Sequence, residues 1–381
     1  MLHRPIGSTG VEASILGYGC MRLPVIDGRS ECIDKPKAME LLHYAIDHGV
    51  DYVDTAYFYH AEHFGEAGES EPFVGEALEG GWRDRVKLAT KMPLWFIKSP
   101  DDFDRYLEEQ LVRLRTDHID FYLLHGLNGE TWDRMRDLGV REFLDKARAD
   151  GRVRFPAFSF HGSAVDFPRI VDEYGWTFGQ IQYNYMDVDY QAGHAGLRYA
   201  ADRGLGVVVM EPLKGGRLAR DLPPEMAAIF EKATVRHTPA EWALCFVWNE
   251  PGVSLALSGM NAMEQLVENL RIADVGVADS LTAEELAIIS RAREAMSARI
   301  KADCTACRYC QPCPSGVDIP GVLAALNAAA VWDDPNAWLT GYARVGGKAS
   351  RCSQCFQCER MCPQDLPLVD LMREALRTFG E

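Results

Sequence analysis

The sequence predicts an α/β protein in which a (β/α)8 TIM barrel is followed by a small cysteine-rich, α-helical domain. Short β-branched or aromatic runs alternate with amphipathic helical segments over the first 300 residues. At 381 residues the chain is longer than one hydrophobic core normally supports, and eight of its 11 cysteines lie between residues 304 and 362. An open doubly wound sheet is the competing fold. Its Gly-x-Gly-x-x-Gly phosphate signature is missing after the first predicted strand.

The elements of the barrel follow one another in a regular order. Helical segments such as KAMELLHYAIDHG and FDRYLEEQLVRLR, with apolar residues at three- and four-residue spacing, separate the strands. We predict a barrel domain over residues 1–298 and a second domain over residues 299–381. The predicted strands are 14–19, 52–56, 86–91, 119–125, 154–160, 179–182, 206–210 and 253–259.

Composition and charge exclude several classes of function. The apolar fraction of 47% and the charged fraction of 25% are those of a globular protein. The formal net charge of −16 argues against nucleic acid or anionic membranes as partners. The first residues lack the apolar segment of a signal peptide, and we find no apolar run of spanning length. We therefore expect a cytoplasmic protein.

Four ionisable residues follow neighbouring barrel strands, at the end where TIM barrels place their chemistry. The second predicted strand ends around Asp54, with Tyr59 five residues on; Lys91 ends the third, and His125 ends the fourth. Each residue alone has a structural explanation, as a cap, a core histidine or a solvent-seeking lysine. The combination at adjacent strand ends predicts a catalytic group.

The chemistry of these four side chains is complementary. A tyrosine phenol with a pKa near 10 is a poor acid at neutral pH, and an adjacent ammonium group favours the phenolate and lowers that pKa. Asp54 is expected to position Lys91, and His125 is expected to orient a substrate carbonyl. This group predicts protonation of an oxygen while a hydride reaches the carbon bonded to it.

Several stretches together resemble the aldo-keto reductases. They are HRPIGSTGVEASILGYG at the start, DTAYFY, ATK and YLLHG, and the resemblance covers residues 1 to about 298. It implies an oxidoreductase that uses NADP or NAD on a carbonyl or alcohol substrate. It also implies that Asp54, Tyr59, Lys91 and His125 form the catalytic tetrad.

The same resemblance implies a binding site for the dinucleotide along the barrel mouth. Ser159 and Gln182 correspond to residues that hydrogen-bond the carboxamide. The residues implied for the pyrophosphate are Leu213, Gly215, Gly216 and Arg217, and those implied for the adenosine end are Gly259, Gln265, Glu268 and Asn269. A purely structural role in turns is the alternative for the glycines.

The sequence departs from the family pattern at the adenosine end and near Tyr59. Gly259 and Gln265 stand where NADPH-dependent members carry a lysine and an arginine, so the choice between NADPH and NADH stays open. The loop after Tyr59 is long and acidic and contains His60 and His63, for which a metal site is a minor alternative. Four aromatic residues suggest an apolar substrate wall, with core packing as the alternative: Phe58, Trp95, Phe96 and Trp132.

The cysteine motifs CTACRYCQPCP and CSQCFQCERMCP resemble those of bacterial ferredoxins, in which three cysteines hold one [4Fe-4S] cluster and the fourth reaches the other. The second motif matches this rule fully, and the first is one residue short. Aldo-keto reductases with an appended ferredoxin-like domain resemble the chain here too. Crossed ligation implies one cluster on Cys304, Cys307, Cys310 and Cys362, and another on Cys352, Cys355, Cys358 and Cys313. Tetrahedral zinc is the alternative.

The two parts together suggest a hydride-transferring oxidoreductase whose clusters exchange electrons with an external redox protein. Clusters transfer single electrons and a nicotinamide transfers two, so direct coupling normally requires a group such as a flavin. A flavin is possible, but no separate flavin domain is evident. The alternatives are an electron-transfer protein with little carbonyl reductase activity, purely structural clusters, and a redox sensor.

Overall fold

A computed structural model describes the chain except residues 64–65, 221, 305, 307 and 335–338, and the side chains of residues 339–340. The described residues form two compact units. One unit comprises Met1–Ala219 and Thr238–Leu281, and the other comprises Arg220–His237 and Thr282–Glu381. The domain boundary after residue 298 stays a prediction.

The first unit is a closed barrel of eight parallel strands, which confirms the predicted TIM barrel. Each strand pairs with the next along the chain, and the last closes the barrel against the first. The strands lie close to the predicted segments. They are β3 (Leu16–Gly19), β4 (Tyr52–Asp54), β5 (Lys87–Met92), β6 (Ile119–Leu127), β7 (Val153–Phe160), β8 (Phe178–Gln182), β9 (Gly206–Met210) and β10 (Val253–Ser258).

Helices follow the strands and bury their apolar faces against the barrel wall. Local signals set some of their ends: Asn128 and Thr238 accept hydrogen bonds from the third residue of their helices in capping boxes. The helices of this unit are α1 (Lys35–Asp47), α2 (Ser70–Ala77), α3 (Asp101–Arg113), α4 (Gly129–Asp137), α5 (Val140–Ala149), α6 (Asp166–Asp172), α7 (Gly193–Ala201), α8 (Arg217–Arg220), which runs one residue past the unit boundary, α10 (Pro239–Trp248) and α11 (Met263–Ala273).

An antiparallel hairpin that the sequence analysis missed precedes the barrel. Its strands are β1 (His3–Pro5) and β2 (Glu12–Ser14), so Ser14 belongs to the hairpin and not to the first barrel strand. Ile6 and Ala13 are fully buried with barrel-interior residues such as Phe121. A side chain on Gly7 would collide with the backbone of Gly206, the first residue of β9. The hairpin therefore closes the N-terminal end of the barrel, opposite the strand ends at which Asp54 and Lys91 lie.

The second unit is helical and has its own apolar core. In that core the helix Ile319–Trp332 packs against the helix Leu368–Phe379, and Tyr342 stacks on Phe379 with ring centroids 4.0 Å apart. The Asn327 amide accepts the backbone N–H groups of Lys301 and Ala302, which fixes the chain just before the first cysteine motif. The helices are α9 (Pro224–Glu231), α12 (Ala283–Ser297), α13 (Ile319–Trp332), α14 (Leu339–Arg344), α15 (Gln357–Met361) and α16 (Leu368–Phe379).

Membrane-spanning segments were sought among the helices of the described residues. None of these helices is both long and apolar enough to cross a bilayer.

Candidate active site and cysteine clusters

Lys91 lies at the centre of a buried polar group at the C-terminal ends of β4 and β5. Its ammonium donates to Asp54 Oδ1 at 2.6 Å, to the carbonyl oxygen of Thr55 at 2.8 Å and to the hydroxyl of Tyr59 at 3.1 Å. All three N–H donors of Lys91 are therefore used, and its side chain is fully buried. Because the Tyr59 oxygen accepts from Lys91, its own proton remains available to another acceptor.

The pKa shifts in this group correct one expectation from the sequence. Burial acts to lower the pKa of Lys91, but the charge of Asp54 and the contact with Tyr59 bring it above the ordinary value, so Lys91 is a cation at neutral pH. Burial raises the pKa of Tyr59 and outweighs the opposing effect of Lys91. The expected lowering of the tyrosine pKa is thus wrong for this geometry. Tyr59 is a protonated phenol whose conjugate base Lys91 stabilises.

His125 faces the same region from β6. Its ring stacks on Phe58 with centroids 4.7 Å apart, and it meets Tyr59 and Trp95 edge to face. Burial, with the charge of Lys91 and the nearby His161, holds the pKa of His125 well below its usual range. The imidazole is therefore neutral at pH 7, and its buried Nδ1 has no hydrogen-bond partner among the described residues.

The predicted aromatic wall is only partly correct. Phe58 and Trp95 contact each other and His125, and the Trp95 residue is 43% exposed. Trp132, in contrast, is fully buried in α4, packs against Trp176 and donates its indole N–H to Glu173. Phe96 packs against Tyr57 and Tyr106. Trp132 is therefore a core residue, because its helix turns this side chain toward the barrel wall.

His60 has a structural role. Its Nε2 accepts the backbone N–H of Leu23 at 3.2 Å, and its Nδ1 lies 2.6 Å from the carbonyl oxygen of Ser30. These two bonds require the proton on Nδ1 and leave no ring lone pair for a metal. His63 is exposed on the same loop. His60 instead fixes the loop that follows β3.

Ser159 and Gln182 lie at the C-terminal ends of β7 and β8, as expected. The Ser159 hydroxyl oxygen accepts the N–H of Gly126 at 2.9 Å, so its proton is available to a ligand. Gln182 donates its amide to Asp187 at 2.8 Å, which leaves the amide oxygen as an acceptor. Asp187 also binds Lys214 at 2.6 Å and thereby connects the loops after β8 and β9.

The predicted pyrophosphate loop follows β9. Gly215 and Gly216 have φ of 67° and 90°, a left-handed conformation that favours glycine, so a turn role is present whatever the loop binds. Glu211, at the start of the loop, pairs with Arg22 at 2.6 Å. Leu213 and Arg217 flank the two glycines and are partly buried.

The predicted adenosine-end residues follow β10. Gly259 lies beside Arg22: a Cβ added to Gly259 would lie 3.2 Å from the Arg22 Cβ. Gln265 accepts the backbone N–H of Asn261, and the buried amide of Asn269 donates to Ser258 at 3.0 Å. Glu268 is partly exposed on α11.

The sequence analysis missed three polar residues of the barrel mouth: Arg22, Asp187 and His161. His161 follows Ser159 by two residues, and its Nδ1 lies 3.3 Å from the Gln191 amide nitrogen. The position of each residue just beyond a predicted strand was a usable signal. None of them stood out as a charge pattern, since Glu211 and Lys214, the charged partners of Arg22 and Asp187, are distant in sequence.

Two cavities in the second unit bring the cysteine motifs together. One, of about 80 Å³, is lined by Cys313 of the first motif and by Cys352, Cys355 and Cys358 of the second. The other is lined by Cys304 of the first motif and Cys362 of the second. Cys310 lines both cavities. The crossed ligation implied by the sequence stays a prediction.

Cys307, the remaining cysteine of the first motif, lies outside the described residues. Direct contacts hold the two motifs side by side: the Ser315 and Ser353 hydroxyls are 2.7 Å apart, and a Cβ on Gly347 would collide with the carbonyl oxygen of Gly316. Cys313, Cys352, Cys355 and Cys358 form no disulfides. Four thiols around one mostly apolar cavity fit the ligand set of an iron-sulfur cluster.

A single-ion site has a different geometry. Four zinc ligands surround one atom at about 2.3 Å, which brings their sulfurs close together. Within the described part of the chain, no three His, Cys, Asp or Glu side chains converge in this way.

Comparison with known proteins agrees with both parts of the structure. Residues 15–294 match the aldo/keto reductase family, and residues 303–367 match the 4Fe-4S dicluster domain. The oxidoreductase YqkF of Bacillus subtilis is 27% identical over 320 residues, covering 75% of this chain and 94% of the relative. The 6-dehydroglucose reductase of Novosphingobium aromaticivorans is 31% identical over 159 residues, 40% of this chain and 49% of that protein.

A solved structure shows the same barrel. The holo form of the aldo-keto reductase AKR11C1 from Bacillus halodurans superposes with a TM-score of 0.63 at 25% identity, over 77% of this chain and 96% of the other. The chain therefore belongs to the aldo/keto reductase family and carries a C-terminal 4Fe-4S dicluster domain.

Proposed function

We propose that the barrel reduces a carbonyl substrate, or oxidises the corresponding alcohol, with NADPH or NADH as the hydride carrier. The observation that supports this most directly is the bond of one buried ammonium, that of Lys91, to both Asp54 and Tyr59. When bound, the nicotinamide supplies the hydride for the carbonyl carbon. The proton for the carbonyl oxygen comes from the protein.

Tyr59 is the proposed proton donor. Its hydroxyl accepts a hydrogen bond from Lys91 and keeps its own proton for the substrate oxygen. As that proton leaves, the charge that develops on the phenolate is stabilised by the adjacent ammonium, which Asp54 and the Thr55 carbonyl hold in place. Neutral His125 orients the carbonyl by hydrogen bonding, and Phe58 and Trp95 form the apolar side of the site.

The residues proposed to hold the dinucleotide lie along the ends of β7 to β10. Ser159 can donate to the carboxamide oxygen, and Gln182 can accept from the carboxamide nitrogen, given the bonds that each already makes. The loop of Leu213, Gly215, Gly216 and Arg217 is proposed for the diphosphate. The residues after β10, namely Gly259, Gln265, Glu268 and Asn269, are proposed for the adenosine end.

For the second unit we propose two [4Fe-4S] clusters that exchange single electrons with a separate redox protein. The supporting observation is the exposure of one cavity: Cys355 is exposed, and Phe356 and Met361 at its rim are 46% and 57% exposed. A partner could therefore come close to this site. A purely structural role for the clusters is the alternative.

The test of the barrel proposal is Tyr59→Phe in protein purified anaerobically. We expect reduction of benzaldehyde or methylglyoxal, whichever the unaltered protein reduces, to fall by two or more orders of magnitude, the usual size of a general-acid effect. Binding of NADPH, followed by fluorescence, and the visible spectrum of the clusters should not change. Turnover close to that of the unaltered protein would remove Tyr59 from the mechanism.

A second assay separates the two proposed roles. Oxidation of NADPH is measured with a carbonyl substrate and, separately, with the one-electron acceptor ferricyanide. Carbonyl reduction that Tyr59→Phe abolishes supports the reductase. Activity with the one-electron acceptor alone, unaffected by Tyr59→Phe, would favour an electron-transfer protein.

A further inference from the structure

Arg22 connects two loops at the mouth of the barrel. It ends a short 3-10 turn, Cys20–Arg22, directly after β3, and its guanidinium donates to Glu211 Oε1 at 2.6 Å. Glu211, which has a φ of 56°, follows β9. The ion pair of Arg22 and Glu211 therefore joins the loop after the first barrel strand to the loop after the seventh. The Arg22 side chain remains 43% exposed, and that of Glu211 remains 24% exposed.

The position of Arg22 is close to both loops proposed for the dinucleotide. A Cβ placed on Gly215 would lie 3.6 Å from the Arg22 Nη2 atom. A Cβ placed on Gly259 would lie 3.2 Å from the Arg22 Cβ. Arg22 therefore lies between the loops that follow the seventh and eighth strands, where TIM barrels commonly form phosphate sites.

Arg22 also has hydrogen-bonding capacity to spare. A guanidinium carries five N–H donors, and Glu211 is its one hydrogen-bond acceptor among the described residues. Lys214, a cation on the pyrophosphate loop, differs from Arg22 because both of its short hydrogen bonds go to the carboxylate of Asp187. A planar guanidinium with unused donors is well suited to the oxygens of a phosphate.

We propose that Arg22 binds the diphosphate of the nicotinamide dinucleotide and that Glu211 positions the guanidinium for this contact. The inference rests on the proposed function. It adds a residue from the loop after β3 to those proposed to hold the dinucleotide. The diphosphate is common to NADH and NADPH, so Arg22 contributes equally to both.

The first test measures dissociation constants for NADH and NADPH by quenching of protein fluorescence in the full-length, cluster-loaded protein. Arg22→Met should weaken the binding of both dinucleotides by about 10- to 100-fold, the range expected for loss of charge-assisted hydrogen bonds. Arg22→Lys should recover part of the affinity. Weakening of NADPH alone would assign Arg22 to the 2′-phosphate and overturn the diphosphate assignment.

The second test separates ligand binding from a structural role of the ion pair. Glu211→Gln removes the negative charge but keeps an oxygen that can accept from Arg22. If the guanidinium binds the diphosphate, Glu211→Gln keeps or increases the affinity, whereas Arg22→Met lowers it. If the pair only joins the two loops, both variants weaken binding alike, and the proposal is overturned.

Two further outcomes distinguish this inference from the proposed function. Thermal unfolding of each variant confirms that the barrel is intact. Unaltered protein that binds neither dinucleotide would contradict the proposed function and this inference together. Unaltered protein that binds both, with Arg22→Met binding them equally well, would contradict the inference alone.

Discussion

The barrel mouth and the cysteine-rich unit both gather ionisable side chains, but the protein holds them in different ways. Lys91 is fully buried, and its three hydrogen bonds go to groups of the polypeptide itself. The described cysteines of the two motifs are partly buried or exposed, line two cavities and come from segments that lie far apart in the sequence. The barrel site is therefore organised by the chain, whereas we expect the cysteine motifs to depend on what their thiolates bind.

The largest expected effect concerns the cysteine unit and tests the crossed arrangement. In protein made anaerobically, Cys362→Ala should lose about half of the iron and sulfide, because it removes a ligand of one of two clusters. Cys304→Ala combined with Cys362→Ala should lose no more, since both residues line one cavity. Cys352→Ala combined with Cys362→Ala should lose nearly all, because Cys352 lines the other cavity.

The reverse result would identify the other connectivity. If each motif held its own cluster, the Cys352 and Cys362 pair would behave like the single variant, and the Cys304 and Cys362 pair would lose both clusters. Iron and sulfide analysis with electron paramagnetic resonance after dithionite reduction distinguishes the two patterns. Binding of NADPH to each variant serves as the control for the barrel.

The periodic features of the fold could be predicted from the sequence. Each barrel strand is a short β-branched or aromatic run followed by a helical repeat, and this local signal predicted all eight strands of the barrel. The N-terminal hairpin was missed because its strands, HRP and EAS, are three residues long and contain no β-branched or aromatic residue. Its stability comes instead from tertiary contacts such as the burial of Ile6 and Ala13.

Prediction of the site from sequence had a similar limit. Asp54, Tyr59 and Lys91 could be placed together, because neighbouring parallel strands end at the same face of a barrel. The electrostatic consequence could not be predicted, since the pKa of Tyr59 depends on burial, which spacing does not reveal. Trp132 was likewise ambiguous until the orientation of its helix was known.

A smaller effect is expected for the buried ion pair of the barrel. Lys91→Met leaves the carboxylate of Asp54 buried without its partner and should lower the free energy of unfolding by about 3–5 kcal/mol. Lys91→Met combined with Asp54→Leu should recover most of this loss. Lys87→Met is the matched control on the same strand: Lys87 pairs with Asp51 at 2.6 Å but is 25% exposed, so about 1 kcal/mol or less is expected.

Urea unfolding followed by tryptophan fluorescence measures these differences in the barrel. If Lys91→Met and Lys87→Met were equally destabilising, the barrel site would not depend on its buried charge pair. The contrast with the cysteine unit would then disappear. Hydrogen exchange of peptides from the second unit shows whether the effect is confined to the barrel.

The smallest expected effect comes from His125 and appears only as a dependence on pH. Burial and the charge of Lys91 hold the pKa of His125 well below the value near 6.5 that it has in an unfolded chain. A lowered folded-state pKa contributes stability above pH 6.5, and this contribution is lost as the pH falls, because the unfolded chain takes up the proton first.

Between pH 7 and pH 5 the unaltered protein should therefore lose up to about 2 kcal/mol more stability than His125→Phe, which has no group to protonate. Subtracting the free energy of unfolding of one protein from that of the other at each pH removes the contribution of the other titrating groups, which both proteins share. Urea unfolding of the barrel at several pH values measures this difference. Parallel pH profiles would mean that water reaches His125 and protonates it in the folded barrel, so that the chain does not keep this site neutral. The barrel mouth would then be more open to water than the burial of Lys91 indicates.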